Sequence, residues 1–226
     1  MIIMKKIYFT LIALLASINM FAQGWPANYS GVMLQGYSWD SYDYSQWTVL
    51  EKQADDMKGF IDLVWLPQSG KCIETTQVMG YKPYYYFNQN SSFGTEAELR
   101  SLIAKFKANG IGAIADVVVN HRNTDGWFTF PAETYNGVTY KMLSTDICKN
   151  DDGGDTSTQA TKEGVSLSNN YDEGTDFGGC RDIDHKSANV QKIIKAYLKF
   201  LKEDIGYTGF RYDMVKGFSG THVADY

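Results

Sequence analysis

The chain has 226 residues, 44% of them hydrophobic, enough to bury one sizeable core. Its 26 acidic side chains outnumber 21 basic ones for a net charge of −5, which argues against nucleic acid or an anionic membrane as partner. Three cysteines (Cys72, Cys148 and Cys180) with no CxxC pair argue against a disulfide framework or a zinc site.

Lys5 and Lys6 precede an apolar run over residues 7–18, followed by Phe21-Ala22-Gln23. That is the pattern of an export signal, and the run is too short for a comfortable membrane span. Residues 1–23 are expected to be removed near Ala22 or Gln23, with export to the periplasm or beyond the cell. No cysteine stands at the cleavage point, so nothing indicates a lipid anchor.

Four apolar runs then read as strands separated by helices. Residues 32–39 form the first strand, and residues 47–59 a helix with Val49, Leu50, Ala54 and Met57 at helical spacing. Residues 62–67 form the second strand, closed by Pro67. In the helix over 95–109, Thr95 and Glu98 predict a capping box and Asn109-Gly110 a stop. Residues 112–120 are continuously apolar, as a parallel strand buried on both faces requires. Residues 122–181 are rich in Asp, Gly, Asn, Thr and Ser. They read as a loop-rich inserted subdomain, with Trp127, Phe128, Phe130 and Tyr140 for a small core of its own. A helix over 187–205 and a fourth strand over 209–217 complete the pattern.

Alternating strands and helices favour an α/β fold with a parallel sheet, either doubly wound or a (β/α)8 barrel. No GxGxxG or GxxxxGK[ST] follows a strand, which weakens the nucleotide-binding option. Polar residues gather at the strands' C-terminal ends, at 35–40, 67–68, 120–121 and 213–217, where barrel enzymes place their sites. A barrel takes roughly 250 residues, so four strands are about half of one.

The last strand ends in chemistry. Arg211 and Asp213, two apart, share one face, and a guanidinium beside a carboxylate keeps it ionised. An ionised, positioned carboxylate is the nucleophile of a retaining glycosidase. Asp116, Val118 and Asn120 likewise share a face. The Asn120 oxygen suits Ca2+, and His121 can hydrogen-bond a sugar hydroxyl. Residues 170–185 carry many carboxylates with Arg181 as the only basic neighbour, and such a cluster needs solvation or a cation. Residues 149–155 do not fit an EF-hand and read as loop.

These segments, DVVVNH at 116–121, GFRYDMVKG at 209–217 and VMLQGYSWDS at 32–41, resemble the α-amylase family (glycoside hydrolase family 13). The NYDEGTDF and DIDH pattern is similar to that of plant and related bacterial secreted α-amylases. The resemblance implies a (β/α)8 TIM barrel in its first half, strands 1–4, with a calcium-binding B domain inserted after strand 3. It divides the chain into barrel at 24–121, insertion at 122–181 and barrel again at 182–226. It further implies retaining cleavage of internal α-1,4-glucosidic bonds in starch or maltooligosaccharides. By position, Asp213 matches the nucleophile and Arg211 its charge partner. His121 and Tyr81 match contacts to the sugar at the cleavage point, and Trp39 and Lys216 match further substrate contacts. Asn120, Asp172 and Asp182 match side-chain calcium ligands, while Thr175 and Gly217 match carbonyl ligands. Asp176 lies beside them. Many family members have His where Gly217 stands.

The family's general acid, a Glu on the next strand, and its later Asp have no counterpart in this sequence. The expectation is a truncated chain that is inactive or nearly so by itself, and a monomer when complete. Two alternatives stay open: a non-catalytic glucan-binding remnant, and a family transglycosidase or α-glucosidase.

Overall fold

A parallel sheet of four strands organises the molecule. The computed structural model describes residues 29–74 and 76–226, so the expected export signal lies outside the described residues. In chain order, β1 (Met33–Gln35), α1 (Trp47–Met57), β2 (Leu63–Leu66), α2 (Glu96–Ala108) and β3 (Gly112–Val117) alternate. An excursion follows, with β4 (His121–Arg122), β5 (Glu133–Tyr135), β6 (Val138–Tyr140), α3 (Asp155–Glu163) and β7 (Arg181–Asp182). The rhythm resumes with α4 (Ala188–Lys199), β8 (Gly209–Tyr212) and α5 (Gly220–Asp225). The main sheet runs β1-β2-β3-β8, all parallel.

The central strands β2 and β3 bury Leu63, Val64, Leu66, Ala113, Ile114, Ala115 and Val117, as a sheet covered on both faces demands. Apolar stripes hold the helices on it. Trp47, Leu50 and Ala54 line α1, and Leu99, Leu102, Ile103 and Phe106 line α2. Val190, Ile193, Ile194, Tyr197 and Leu198 line α4. The expected capping box forms: Glu98 N–H donates to Thr95 Oγ1, and Thr95 N–H donates to the Glu98 carboxylate at 2.7 Å. Ser187 caps α4 by its side chain alone, accepting from the N–H groups of Asn189 and Val190.

The strands are shorter than the apolar runs that announce them. β1 stops at Gln35 rather than continuing to 39, β3 stops at Val117 rather than 120, and β8 stops at Tyr212 rather than 217. Beyond these points the backbone turns to present side chains at the sheet's C-terminal end. Met214, at φ 51°, marks the turn after β8.

The excursion differs from its expectation in two respects. Residues 149–155 are not simple loop: a 3-10 turn covers Asp151–Gly154, and α3 starts at Asp155. Nor does the segment hold a core of its own. Phe130, Met142, Ile147 and Ile183 belong to the same apolar cluster as Val117 and Tyr197, while Trp127 stays 36% exposed. The reason is size, because a segment this polar buries too few side chains to stand alone. It is anchored instead by β4 pairing antiparallel with β7, and by a buried ion pair. Arg122 reaches Glu133 at 2.6 Å, with both side chains nearly inaccessible. Glu133 accepts the N–H groups of Tyr86 and Phe87, and the guanidinium lies 4.2 Å from the centre of the Tyr86 ring. In the β5-β6 hairpin, Asn136 and Gly137 both take the positive φ that such a two-residue turn needs.

Removing one partner of a buried pair strands the other charge. Glu133→Ala is therefore expected to cost about 3–5 kcal/mol in urea unfolding. The double change Arg122→Met with Glu133→Leu is expected to cost clearly less.

Candidate active site

Parallel register places Asp116 of β3 opposite Arg211 of β8. Asp116 is 1% exposed, in a strand otherwise made of apolar side chains, so its charge must be met from within the protein. Arg211 Nη1 donates to Asp116 Oδ1 at 2.9 Å and to Asp213 Oδ1 at 2.5 Å, joining the two carboxylates through one guanidinium. Asp116 Oδ2 accepts from Tyr37 Oη at 3.0 Å, Trp65 Nε1 at 3.1 Å and Tyr81 Oη at 2.9 Å. The two tyrosine hydroxyls lie 2.7 Å apart, and the Arg211 guanidinium packs 4.8 Å from the Trp65 ring centre. Four successive strand ends thus converge on one carboxylate.

The electrostatics follow from burial and pairing. Burial raises the Asp116 carboxyl above its ordinary value, and Arg211 with the two tyrosine hydroxyls opposes that rise. Burial disfavours a charged Arg211, but Asp116 and Asp213 outweigh it and hold the guanidinium protonated beyond its usual range. Burial likewise pushes the hydroxyls of Tyr37 and Tyr81 up, so both remain neutral donors.

Around this centre stand the other residues singled out in the sequence. Trp39 is 70% exposed and stacks on Tyr81, ring centres 5.7 Å apart at 11°. Together they form an aromatic wall beside Arg211. His121 is buried beneath Phe177, stacked at 3.9 Å. Its Nε2 pairs with the Tyr81 carbonyl at 2.9 Å and its Nδ1 faces Asn120 Nδ2 at 3.3 Å. Both ring nitrogens therefore have protein partners, and burial lowers the ring's pKa and keeps it neutral. In this arrangement His121 braces Tyr81 rather than opening toward a ligand. The Lys216 side chain is exposed, and its carbonyl accepts Thr175 N–H at 3.0 Å.

A second centre lies where the excursion meets these strand ends. Asn120 Nδ2 donates to Asp182 Oδ1 at 2.9 Å, and Asp182 Oδ2 accepts Phe177 N–H at 2.8 Å. Gly217 presses against Asn120 so closely that a Cβ there would lie 2.0 Å from Asn120 Oδ1. That contact explains why a side chain such as His finds no room in this chain. Thr175 joins through the Lys216 carbonyl, and Asp172 faces Asp182. Burial pushes Asp182 up to about 9, with neighbouring Asp176, Asp172 and Asp151 adding to the rise. Asp151, ion-paired to Arg181 at 2.6 Å, is raised to about 6, again chiefly by burial. Asp151, Asp176 and Asp182 each bring a ligand atom within 4.8 Å of the others. Asp172 Oδ2 is buried with no hydrogen-bond partner. Crowded carboxylate oxygens, one of them orphaned, are a hard donor set, and that chemistry fits Ca2+.

Two parts of this geometry were missed in the sequence. The sequence pattern puts Asp116 on the Asn120 face without indicating a role; a carboxylate inside an apolar strand is itself the signal that a buried partner exists. Asp151 lay in the stretch read as loop, and only its fully buried position reveals it.

Behind Phe218, His185 stacks at 4.3 Å, meets Tyr226 Oη at 2.6 Å and lies 5.4 Å from His222. Burial first, then His222, lower its pKa to about 4, against the pull of Glu173 and Asp184. Between pH 6.5 and 4 the unfolded chain binds more protons at this side chain than the folded one. Its contribution to stability is thus lost as the pH falls through that window, by up to about 3 kcal/mol. His185→Gln is expected to flatten that part of the stability-pH profile in urea titrations.

Comparison with known proteins follows the same lines. The family model "Alpha amylase, catalytic domain" matches residues 60–224. "Probable alpha-amylase 2" of Arabidopsis thaliana is 30% identical over 197 residues, covering 86% of this chain and 44% of that protein. An alpha-amylase of Aeromonas hydrophila is 33% identical over 143 residues, covering 63% of this chain and 30% of the relative. Among solved structures, alpha-amylase I from Eisenia fetida superimposes with a TM-score of 0.59 at 18% identity, covering 86% of this chain and 40% of that one. That likeness is one of fold, a TIM barrel to which the present sheet corresponds in part. The chain spans less than half the length of these relatives.

Proposed function

The chain belongs to the alpha-amylase family, and on that premise we propose that it carries the nucleophile half of a retaining glycoside hydrolase acting on internal α-1,4-glucosidic bonds of starch and maltooligosaccharides. The observation that carries this reading is the Arg211 bridge between Asp116 and Asp213 at 2.9 and 2.5 Å. Asp116 is buried and consumed by its donors, whereas the Asp213 side chain is 23% exposed at the mouth. Asp213 attacks the anomeric carbon as the leaving oxygen departs, forming a covalent glycosyl-enzyme that water then hydrolyses. Arg211 donates to Asp213 Oδ1 and aims that carboxylate. The Trp39–Tyr81 wall offers flat faces to the sugar. Lys216, exposed near Asp213, contacts a hydroxyl, and His121 reaches the sugar by exchanging its Nε2 contact with the Tyr81 carbonyl for a substrate hydroxyl.

Protonation of the leaving oxygen needs a second carboxyl, about 5–5.5 Å from the nucleophile in a retaining enzyme. Asp116 does not qualify, because Arg211, Tyr37, Trp65 and Tyr81 occupy its two oxygens. No carboxyl of this chain takes that role in the proposal. Hydrolysis by the 226 residues alone is expected to fall short by the worth of a general acid, about 10²–10⁴-fold. Residues 122–181 act as a B domain and residues 1–23 as an export signal.

Asn120, Asp172 and Asp182 through side chains, and Thr175 and Gly217 through carbonyls, are proposed to hold Ca2+. When bound, Ca2+ would supply positive charge against the crowded carboxylates, and these ligands belong to the excursion and to the segments after β3 and β8. Added Ca2+ is expected to raise the unfolding temperature, by about 2.7 kcal/mol of stability at a hundredfold excess over its Kd. Asp172→Asn is expected to remove most of that gain, and indifference to EDTA counts against the ligand set.

The nucleophile is tested with an activated fluoroglucoside and peptide mass spectrometry. The label is expected on Asp213 and absent from Asp213→Asn. A label on any other carboxyl overturns the assignment, and starch hydrolysis that survives Asp213→Asn overturns the mechanism.

A further inference from the structure

Cys72, Cys148 and Cys180 are all buried with free thiols, and the proposed reaction uses none of them. Two of the three converge on Lys82. The connection between β2 and α2 doubles back on itself, because the Lys71 carbonyl accepts the N–H groups of both Tyr84 and Tyr85. Cys72 therefore starts the outgoing limb beside Lys82 and Pro83 on the returning one. From the other side, Asn123 N–H donates to the Pro83 carbonyl at 2.9 Å, and the Arg122 guanidinium donates to the Tyr84 carbonyl. The β4-β7 ladder sets Arg122 opposite Arg181, and the same antiparallel register carries on to Asn123 and Cys180. Cys180 thus reaches the Lys82-Pro83 turn from the excursion, as Cys72 reaches it from the connection. The Lys82 side chain runs over the residue before Cys180: a Cβ on Gly179 would lie 3.5 Å from its Cε.

The electrostatics agree with this placement. Burial pushes both thiols up to about 12, with Glu74 adding to the rise at Cys72. Against burial, the Lys82 backbone N–H favours the Cys72 thiolate and the Lys82 ammonium favours that of Cys180, while Cys72 itself raises Cys180. Cys148 sits elsewhere. After burial, its thiol is raised by Asp172, Asp184, Asp182 and Asp151.

We infer that Cys72 and Cys180 are a redox pair that closes to a disulfide, stapling the connection that carries Tyr81 to the end of the excursion. The oxidant is a small-molecule disulfide such as oxidised glutathione. Cys72 borders two cavities of about 310 Å³, one shared with Trp39 and Tyr81 and the other with Tyr84 and Tyr85, so its sulfur is met first. Its thiolate attacks the glutathione disulfide, one reduced glutathione leaves, and a mixed disulfide forms. The Cys180 thiolate then attacks the Cys72 sulfur and the second glutathione leaves. The two thiol protons end on the two glutathiones, so the cysteine pair loses two electrons and the oxidant gains two. The raised thiols make exchange slow near neutral pH and faster in alkali. The bond closes a loop of roughly 100 residues, a strong constraint on the unfolded chain. It leaves the Asp116–Arg211–Asp213 centre untouched, and it stands whatever sugar that centre takes.

The test incubates the 226-residue chain with oxidised glutathione at about pH 8.5, both folded and during refolding from urea. Remaining thiols are then blocked and the peptides mapped without reduction. The expected product is a peptide pair joining Cys72 to Cys180, with Cys148 recovered as a blocked thiol. The unfolding temperature of the oxidised chain is expected to rise by roughly 5–15 °C and to return on reduction with a dithiol. Cys148→Ser is expected to keep the crosslink and the rise, and Cys180→Ser to lose both, with one glutathione left on Cys72. Cys72 and Cys180 that stay free in both incubations overturn the inference, as do glutathione caps on each or a bond from either to Cys148. A Cys72–Cys180 bond that lowers the unfolding temperature overturns the staple.

Discussion

A buried carboxylate in the middle of a parallel sheet is the constraint from which the rest follows. Asp116 cannot be left alone in β3, because an unpaired charge in an apolar layer is far too costly. Its two oxygens are met by Arg211 from β8, Tyr37 from the turn after β1, Trp65 from β2 and Tyr81 from the long connection after β2. Satisfying one residue therefore fixes the register of β8 on β3, the path of two connections and the tilt of the Trp39–Tyr81 wall. Arg211 then has one further contact to give, and it gives it to Asp213. The proposed nucleophile is thus oriented by a residue whose first obligation is structural.

The excursion between β3 and α4 obeys the same rule with a different outcome. At its near end, Arg122 and Glu133 satisfy each other together with backbone groups of the connection after β2, so the charges close on themselves. At its far end the count does not close. Arg181 meets Asp151, but Asp182 is left with neighbours of its own sign, and one oxygen of Asp172 has no donor. Protein groups alone do not complete that centre. Its crowded, partly unpaired oxygens are the feature on which the proposed Ca2+ site rests.

Much of this was legible in the chain. The helices were readable because apolar spacing and caps are local: Thr95 with Glu98, and the stripe from Val190 to Leu198, need no knowledge of the fold. The Arg211–Asp213 pair was readable because it lies within a single strand. Strand ends were overestimated, since apolar residues such as Val118 and Val119 stay buried after the ladder has stopped. The partners of Arg211 were only half visible, because Asp116 is distant in sequence and meets it only across the sheet. His121 was readable as a residue at the right place, but its cover by Phe177 comes from a loop that no local pattern describes. Aromatics at 127–140 suggested a separate core, and the barrel side turned out to claim Phe130 for itself.

What the sequence by itself determined is the alternation of strands and helices, the caps, the acidic balance and the family to which the strand-end motifs belong. All of these depend on residues close together in the chain or on composition. What only the tertiary structure decided is which charges are shared and which are left over. It placed Asp116 under Arg211, closed Arg122 on Glu133 and stranded the carboxylates around Asp182. Those outcomes depend on burial and on contacts between distant segments, and burial sets the energy of a charge or an unpaired polar group.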